Sequence, residues 1–261
     1  MTPTAELYTA LQKLYTHFNN TLFEKQLPDV IFTNQRQVGV MGYFSPNRWA
    51  SKQGKHCHEI AINPIYVGKA SLIELMQTMV HEMTHCWQQC YGKPSRAGYH
   101  NKEWANKMIG IGLIPTTTAK PGGNITGQKM FDYPEPNGLF IKSCADFIKT
   151  HNFQLPWVDR FAVAYQGTLQ YSEIDIEQVL ASTLNQHIED LFEDLEDNLI
   201  KEQLCTTLSQ QFGEEAFAML DPNAEKKVKA KYSCQYCGIN VWGKCGLRLR
   251  CDDCDEGLIE S

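Results

Sequence analysis

Residues 71–92 read SLIELMQTMVHEMTHCWQQCYG and have the features of a single amphipathic helix. Ser71 and Glu74 stand three residues apart at the start, which is the capping-box pattern of a helix N-terminus. Gly92 and Pro94 follow the stretch, and both residue types end helices. Apolar residues recur between these ends at helical spacing: Leu72, Met76, Met79, Val80, Met83, Cys86, Trp87 and Cys90. The pattern predicts a helix with one face on a core.

The same helix carries a pair of histidines with metal-ligand spacing. His81 and His85 are four residues apart, so their imidazoles lie one turn apart on one face and can reach one ion. Zinc prefers such nitrogen ligands, at about 2.0–2.1 Å. Glu82 directly follows the first histidine, and its spacing suits a general base beside the metal rather than a ligand. These residues predict a catalytic zinc centre.

A third protein ligand has to come from elsewhere, because a catalytic zinc usually has three and keeps a fourth position for water. His100 is the best candidate, fifteen residues after His85, because it follows a glycine-containing turn and opens the next predicted helix. Glu103 is the alternative, since glutamates of a following helix serve as third ligands in some zinc peptidases. The Met-turn class is excluded, because its third histidine would fall on Tyr91.

The residues around this helix predict helices and short strands. Residues 4–19 show helical apolar spacing, and Val30–Phe32, Val38–Phe44 and Glu59–Ile62 are predicted strands joined as a hairpin or meander. Residues 115–138 are rich in proline, glycine and threonine, which predicts a loop or short hairpins. The strand Glu59–Ile62 is either an exposed edge that pairs with an extended substrate or a buried strand.

Four cysteines near the C-terminus have the spacing of a structural zinc site. Two Cys-x-x-Cys pairs are separated by thirteen residues. They consist of Cys234, Cys237, Cys251 and Cys254. Four thiolates complete a tetrahedral zinc site with no position for water, so this zinc is predicted to be structural. A module this short buries too little apolar surface to fold alone, and the metal offsets the deficit.

The composition is that of a globular protein without a membrane segment. Apolar residues make up 43% and charged residues 21% of the 261 residues, and no stretch approaches the roughly 18 apolar residues that span a bilayer. Residues 1–15 lack the basic and then apolar run of a secretory signal. We therefore expect a cytoplasmic protein with no membrane contact. Paired cysteines favour metal binding over disulfides in a reducing compartment.

The net charge of −6 conceals two segments of opposite sign. Residues 171–203 contain ten acidic residues and one lysine, whereas residues 226–250 contain seven basic residues and no acidic one. The basic and aromatic residues of the tail are Lys226, Lys227, Lys229, Lys231, Lys244, Arg248, Arg250, Tyr232, Tyr236 and Trp242. Basic groups contact phosphates and aromatic rings stack on unpaired bases, which favours binding of single-stranded or structured DNA. The alternative is a solvated ribbon that packs on protein.

The acidic segment is interpreted as a solvated helical face. An alternative is that it folds over the basic tail or the cleft.

Residues 81–115 resemble the SprT-like metalloproteases, a family that includes Spartan, the protease of DNA–protein crosslink repair. The resemblance implies zinc ligands at His81, His85 and His100 and a catalytic glutamate at Glu82. It also rests on Gly98, Trp104, Met108, Gly112 and Leu113. Residues 126–129, residues 136–138 and the cysteine module are similar to bacterial members. One departure is Tyr99, which is inserted before His100.

The resemblance implies an α+β fold in three parts. Residues 1–140 would form a zincin-like metalloprotease domain with a small antiparallel sheet, residues 141–228 a helical and partly acidic connection, and residues 229–261 a zinc ribbon. The implied activity is hydrolysis of peptide bonds in DNA-associated proteins, with one catalytic and one structural zinc. The alternative is a non-enzymatic nucleic-acid-binding or regulatory zinc protein. Glu82 favours the enzyme, because a purely structural zinc site needs no such carboxylate.

Overall fold

The computed structural model describes residues 1–118, 121–151, 153–165, 198–213 and 230–260. The chain divides into two compact units, Met1–Phe217 and Ala218–Ser261. The described residues of the first unit form the helices α1 (Pro3–Leu22), α2 (Pro64–Val67), α3 (Leu72–Tyr91), α4 (Lys102–Gly110), α5 (Leu139–His151), α6 (Asn198–Cys205) and α7 (Leu208–Gln211). Among these described residues, no helix combines the length and apolarity needed to cross a bilayer.

Helix α3 forms where the sequence predicts it and has both predicted ends. The Ser71 hydroxyl accepts from the backbone N–H of Glu74, and the Glu74 carboxylate accepts from the backbone N–H of Ser71. This is the predicted capping box. The apolar face of α3 packs on α1 and on the sheet, and its fully buried side chains are Leu72, Leu75, Met76, Met79, Val80, Met83 and Cys86.

The sheet beside α3 has three strands, β1 (Val30–Asn34), β2 (Gly42–Ala50) and β3 (His56–Ile62). Their order is β1-β3-β2; β3 pairs parallel to β1 and antiparallel to β2. The prediction of an antiparallel sheet is therefore wrong for one of its two pairings. The physical reason is topological: β3 returns between the first two strands, whereas a meander would have placed it beside β2 alone.

Strand β2 is the edge of this sheet on the side of β3 away from β1, and it is longer than the sequence predicts. It continues past Pro46 to Ala50 through a bulge between Ser45 and Trp49. A bulge accommodates proline, which cannot donate to a strand ladder. Strand β3 is central, and its residues 60–62 are at most 2% exposed. Of the two alternatives for this strand, the structure therefore has the buried one.

The chain after α4 forms a hairpin of β4 (Leu113–Thr116) and β5 (Phe131–Pro134), within the stretch predicted as a loop or short hairpins. Helix α5 then packs against α1, and α6 packs against α3 and α5. The prediction of an acidic helical face in 171–203 lies outside the described residues, except for 198–203. The mixed α and β content with small sheets agrees with the predicted class.

The second unit contains β6 (Ala230–Ser233), β7 (Asn240–Gly243), β8 (Arg250–Cys251), β9 (Glu256–Gly257) and β10 (Ile259–Glu260). Strand β6 pairs antiparallel with both β7 and β10, and β8 pairs with β9. Its buried described residues are Ala230, Tyr232, Cys234 and Cys251. Two of these four are cysteines of the predicted zinc site, so little apolar core exists apart from them.

Candidate metal centre

Three histidines from two parts of the chain converge beside α3. One nitrogen from each of His81, His85 and His100 lies within 4.8 Å of the other two. The Nε2 atoms of His85 and His100 are 3.0 Å apart. Two nitrogens bound at about 2.0–2.1 Å to one tetrahedral zinc lie about 3.4 Å apart, so small shifts would suffice for coordination. The structure thus brings the three predicted ligands together.

His100 reaches the helix-borne pair because its backbone is held by a distant glycine. Its N–H donates to the Gly127 carbonyl at 2.7 Å, and the Gly127 N–H donates back to the His100 carbonyl at 3.1 Å. The His100 Nδ1 lies 3.3 Å from the same Gly127 oxygen, which leaves Nε2 facing His85. Helix α4 begins two residues later, where the Asn101 side chain accepts from the Trp104 N–H and caps it.

Glu103, the alternative third ligand, has a different role. Its Oε2 accepts from the Lys93 backbone N–H at 2.6 Å and from the Gln88 side chain at 2.8 Å. These contacts close the turn between α3 and α4, and they lower the pKa of Glu103 through the Lys93 hydrogen bond first. The carboxylate is thus engaged at the far end of α3 and is not grouped with the three histidines.

His81 is held by an aspartate that the sequence analysis missed. The His81 Nδ1 lies 2.8 Å from Oδ2 of Asp132, whose side chain is only 6% exposed. The Gln77 side chain, one turn before His81, donates to the Asp132 carbonyl at 2.6 Å. A histidine that binds metal through Nε2 usually donates its other N–H to a carboxylate or carbonyl. No local motif marks Asp132, because only the register of β4 and β5 brings it to the site.

Trp104 forms the floor of the centre. It is fully buried, and its ring centroid lies 4.9, 5.2 and 4.4 Å from those of His81, His85 and His100. One rigid ring therefore contacts all three imidazoles. The apolar floor also lowers the local dielectric, which strengthens electrostatic interactions at the centre.

Glu82 lies on the side of the centre next to the edge strand β2. It is 6% exposed, and a backbone hydrogen bond from Phe44 reaches its carboxylate. Strand β2 can pack this close to α3 because Gly42 has no side chain: a Cβ there would meet the Ala61 carbonyl oxygen at 2.8 Å and the Thr78 Cγ2 at 2.9 Å. No sequence motif marks Gly42 or Phe44, since their roles depend on how the sheet packs.

Burial and the charges of neighbouring side chains shift the pKa values of the three histidines and of Glu82. Burial, followed by the charge of His81, lowers the pKa of His100 to about 4, and burial with both neighbours lowers the pKa of His85 far below its ordinary value. Burial also acts to lower the pKa of His81, but Asp132 and Glu82 outweigh it and raise that pKa. The pKa of Glu82 rises to about 7, through burial first and then the charge of Asp132.

The donor set fits a divalent cation such as zinc. His85 and His100 are neutral near pH 7, which metal ligation requires, and imidazole nitrogen suits zinc. Two carboxyl groups, of Glu82 and Asp132, lie beside the imidazoles, which favours a bound cation. In addition, Oδ1 of Asp132 is buried without a hydrogen-bond partner among the described residues. A buried carboxylate of this kind needs a nearby positive charge.

A second group of possible ligands occurs at the end of α3, where His58, Cys86 and Cys90 approach within 4.8 Å. The Asn47 backbone N–H donates to Nδ1 of His58 at 2.9 Å. In the neutral imidazole the proton must then be on Nε2, which faces the Cys90 sulfur at 3.6 Å. A protonated nitrogen cannot bind a metal, so His58, Cys86 and Cys90 do not form a second metal centre comparable to the three histidines. Cys86 is buried, as a small hydrophobe, and Cys90 is exposed.

The four ribbon cysteines come together in the second unit, with all sulfur atoms within 4.8 Å of one another. The sulfurs of Cys237 and Cys251 are 3.6 Å apart. Backbone N–H groups of Cys237 and Tyr236 lower the pKa of Cys234, as expected where a Cys-x-x-Cys turn points its amides at sulfur. The four thiols therefore form one closed candidate site without an additional side chain.

Comparisons with known proteins agree with the resemblance noted from the motifs. The model of the SprT-like family matches residues 11–120. An uncharacterized protein in the mucB 3' region of Salmonella typhimurium is 39% identical over 51 residues, which cover 20% of this chain and 69% of that protein. No solved structure matches significantly. The match ends before Gly127 and Asp132, so the loop and the strand β5 that contact two of the histidines lie beyond it.

Proposed function

The chain belongs to the SprT-like family, and from this we propose that it is a zinc-dependent metallopeptidase that hydrolyses peptide bonds of DNA-associated proteins. A metalloprotease-type function is what the family suggests. The observation that carries the specific proposal is the convergence of His81, His85 and His100 beside the buried carboxylate of Glu82. A structural site would need the imidazoles but not that carboxylate.

Zinc held by the three imidazoles would polarise a substrate carbonyl and lower the pKa of a water molecule. Glu82 is the side chain placed to accept the proton of the attacking water and to return it to the leaving amine. A general base works best when its pKa lies near the operating pH. In the metal-free protein, burial and then the Asp132 charge raise the pKa of Glu82, and the Phe44 backbone N–H donates to its carboxylate.

The edge strand β2 is the proposed binding surface for the substrate backbone. It borders Glu82, and its outer side has no partner strand within the sheet as described. An extended peptide can add to such an edge through main-chain hydrogen bonds, which favours cleavage of flexible or unfolded segments. This replaces the hypothesis that residues 59–62 serve as the edge.

Metal content tests the assignment of the third ligand. We expect two zinc ions per wild-type chain, one in each cluster, and one after His100→Ala. The matched control Glu103→Gln should keep both, because that carboxylate binds Lys93 and Gln88 instead. Elemental analysis of purified, dialysed protein makes the measurement. Loss of zinc from Glu103→Gln with retention in His100→Ala would reverse the assignment.

A non-enzymatic, DNA-binding or regulatory zinc protein is the competing function. Cleavage of casein, or self-cleavage, with and without DNA and with and without a zinc chelator separates the two. The peptidase proposal predicts cleavage that the chelator abolishes and added zinc restores. Zinc-loaded protein that binds DNA but cleaves neither substrate under any of these conditions would favour the competing function.

We also propose that the second unit binds single-stranded or structured DNA. Two of its aromatic side chains are available for stacking, Tyr236 at 75% and Trp242 at 67% exposure. Tyr232, predicted as a third, is instead fully buried, and its hydroxyl accepts from the Leu247 N–H.

The four-thiolate cluster requires reduced cysteines, which supports a reducing, cytoplasmic location.

Trp242→Ala should weaken binding to single-stranded DNA by roughly 5- to 150-fold, since stacking contributes about 1–3 kcal/mol per base. Binding of wild-type protein should also weaken as salt rises, because basic side chains release counterions. Fluorescence titration with a labelled oligonucleotide at two salt concentrations measures both. The control Trp157→Ala removes a half-exposed tryptophan of the first unit and should not change affinity. Salt-independent binding, or equal affinities for both variants, would contradict this role.

A further inference from the structure

The hairpin β4–β5 and the loop before β5 contact two of the three clustered histidines from the same side. The Gly127 carbonyl contacts the Nδ1 of His100 at 3.3 Å, and the Asp132 carboxylate contacts the Nδ1 of His81 at 2.8 Å. Both contacts involve Nδ1 of the ring, and for His100 it is Nε2 that faces His85. Gly127 and Asp132 lie beyond the matched residues 11–120, whereas β4 lies within them.

These contacts select the tautomer of each ring. When Nδ1–H donates to an oxygen, the lone pair is left on Nε2, and the Nε2 of His100 lies 3.0 Å from that of His85. The partner of Nδ1–H also affects how strongly the other ring nitrogen binds a cation. A carboxylate partner raises the basicity of that nitrogen more than a carbonyl partner does. Asp132 is therefore the stronger of the two supports.

Asp132 is itself held rigidly from two directions. In the β4–β5 ladder it lies opposite Pro115, and the Gln77 side chain of α3 donates to its carbonyl at 2.6 Å. Its carboxylate uses Oδ2 for His81, while Oδ1 is buried without a hydrogen-bond partner among the described residues. A side chain fixed in this way for packing alone would be more stable as an apolar residue. The position of Asp132 is explained if the His81 imidazole, which it contacts through Nδ1, binds a cation through its other nitrogen.

We propose that Asp132 is a positioning residue that sets the zinc affinity of the three-histidine centre, acting through His81. The inference rests on the proposed function only in taking the three histidines as a zinc site. Asp132 is not one of the three grouped donors; it acts through its hydrogen bond to His81, which orients the imidazole. The hairpin is thus part of the metal centre, although no metal-ligand motif lies in it.

The test measures zinc dissociation constants of the full-length protein by competition with a chromophoric chelator. Asp132→Ala should weaken binding at the three-histidine centre by about 10–100-fold. Asp132→Asn keeps an oxygen that accepts from Nδ1–H but removes the charge, so its loss should be smaller. Glu135→Gln removes the same charge from an exposed residue just after β5 that contacts none of the histidines, and should bind zinc like the wild type.

Cobalt(II) absorption distinguishes a local effect from misfolding. The thiolate-to-cobalt band of the ribbon site should be identical in all variants, while the d–d bands of the three-histidine site change in Asp132→Ala and Asp132→Asn. Wild-type affinity in both Asp132 variants would overturn the inference and leave the proposed function intact, provided that His100→Ala still loses its zinc. If His100→Ala also keeps its full zinc content, the zinc-centre assignment fails and the inference fails with it.

Discussion

Replacing Glu82 with glutamine should lower kcat for protein cleavage by about 10²–10⁴-fold while leaving the zinc content unchanged. Glutamine fills the same volume and can still accept from the Phe44 N–H through its amide oxygen. It cannot accept a proton from water at neutral pH. The three histidines are untouched, so the metal should remain. The measurement is a casein or peptide cleavage assay on zinc-loaded protein, with elemental analysis of the same sample.

The same substitution has a second readout that excludes unfolding as the cause. In the metal-free protein the pKa of Glu82 is raised from its ordinary value of 4.5 to about 7, mainly by burial. A carboxyl group with a raised folded-state pKa favours the folded state fully below pH 4.5, and this contribution is lost as pH rises toward 7. Above pH 7, metal-free Glu82→Gln should therefore be more stable than metal-free wild type, by about 3 kcal/mol.

Urea denaturation of both proteins at pH 5 and pH 8, with chelator present, checks this expectation. The difference in unfolding free energy should be small at pH 5 and clear at pH 8. A variant that is inactive yet more stable at pH 8 has lost a catalytic group and not its fold. Cleavage at the wild-type rate by Glu82→Gln would remove this residue from the mechanism and with it the main argument for an enzyme.

The local features of α3 were predictable from the sequence, whereas the surroundings of its histidines were not. The capping box at Ser71 and the apolar periodicity depend on residues within one or two turns of each other, so the pattern alone determines the helix and the pairing of His81 with His85. The third ligand was narrowed to His100 or Glu103 by spacing, but the choice depends on contacts with Gly127 and Lys93.

The other differences between the predicted and the observed structure arise from strands that pair with distant parts of the chain. Asp132 reaches His81 only because β5 pairs with β4 in one register, which the polar and glycine-rich loop does not encode in a recognisable pattern. Likewise, β3 inserts between β1 and β2, and neither its hydrophobicity nor its length distinguishes a central strand from an edge. The predicted strand ended at Phe44, but a bulge lets the edge strand continue through Pro46 to Ala50.

Substituting Cys251 with serine should unfold the second unit, residues 230–260, without unfolding the first. The predicted effect is large because structural zinc contributes an apparent free energy of about 10–16 kcal/mol to modules of this kind. Apart from cysteines, the described residues of the unit bury only Ala230 and Tyr232, and fully burying a large apolar side chain contributes roughly 1.5–3 kcal/mol. That amount cannot offset the conformational entropy lost by about thirty ordered residues.

Backbone amide NMR spectra of the reduced full-length chain make the measurement. In Cys251→Ser, or after zinc removal, amides of residues 230–260 should collapse to random-coil shifts, while those of α1, α3 and the β1-β3-β2 sheet stay dispersed. The matched control is Cys245→Ser, because Cys245 lies in the same module but outside the four-sulfur cluster. Dispersed ribbon signals in Cys251→Ser would mean that the short ladders of β6 with β7 and β10 hold the module by themselves. The small apolar area around Tyr232 argues against that outcome, because two- and three-stranded ribbons need a hydrophobic face to persist in water.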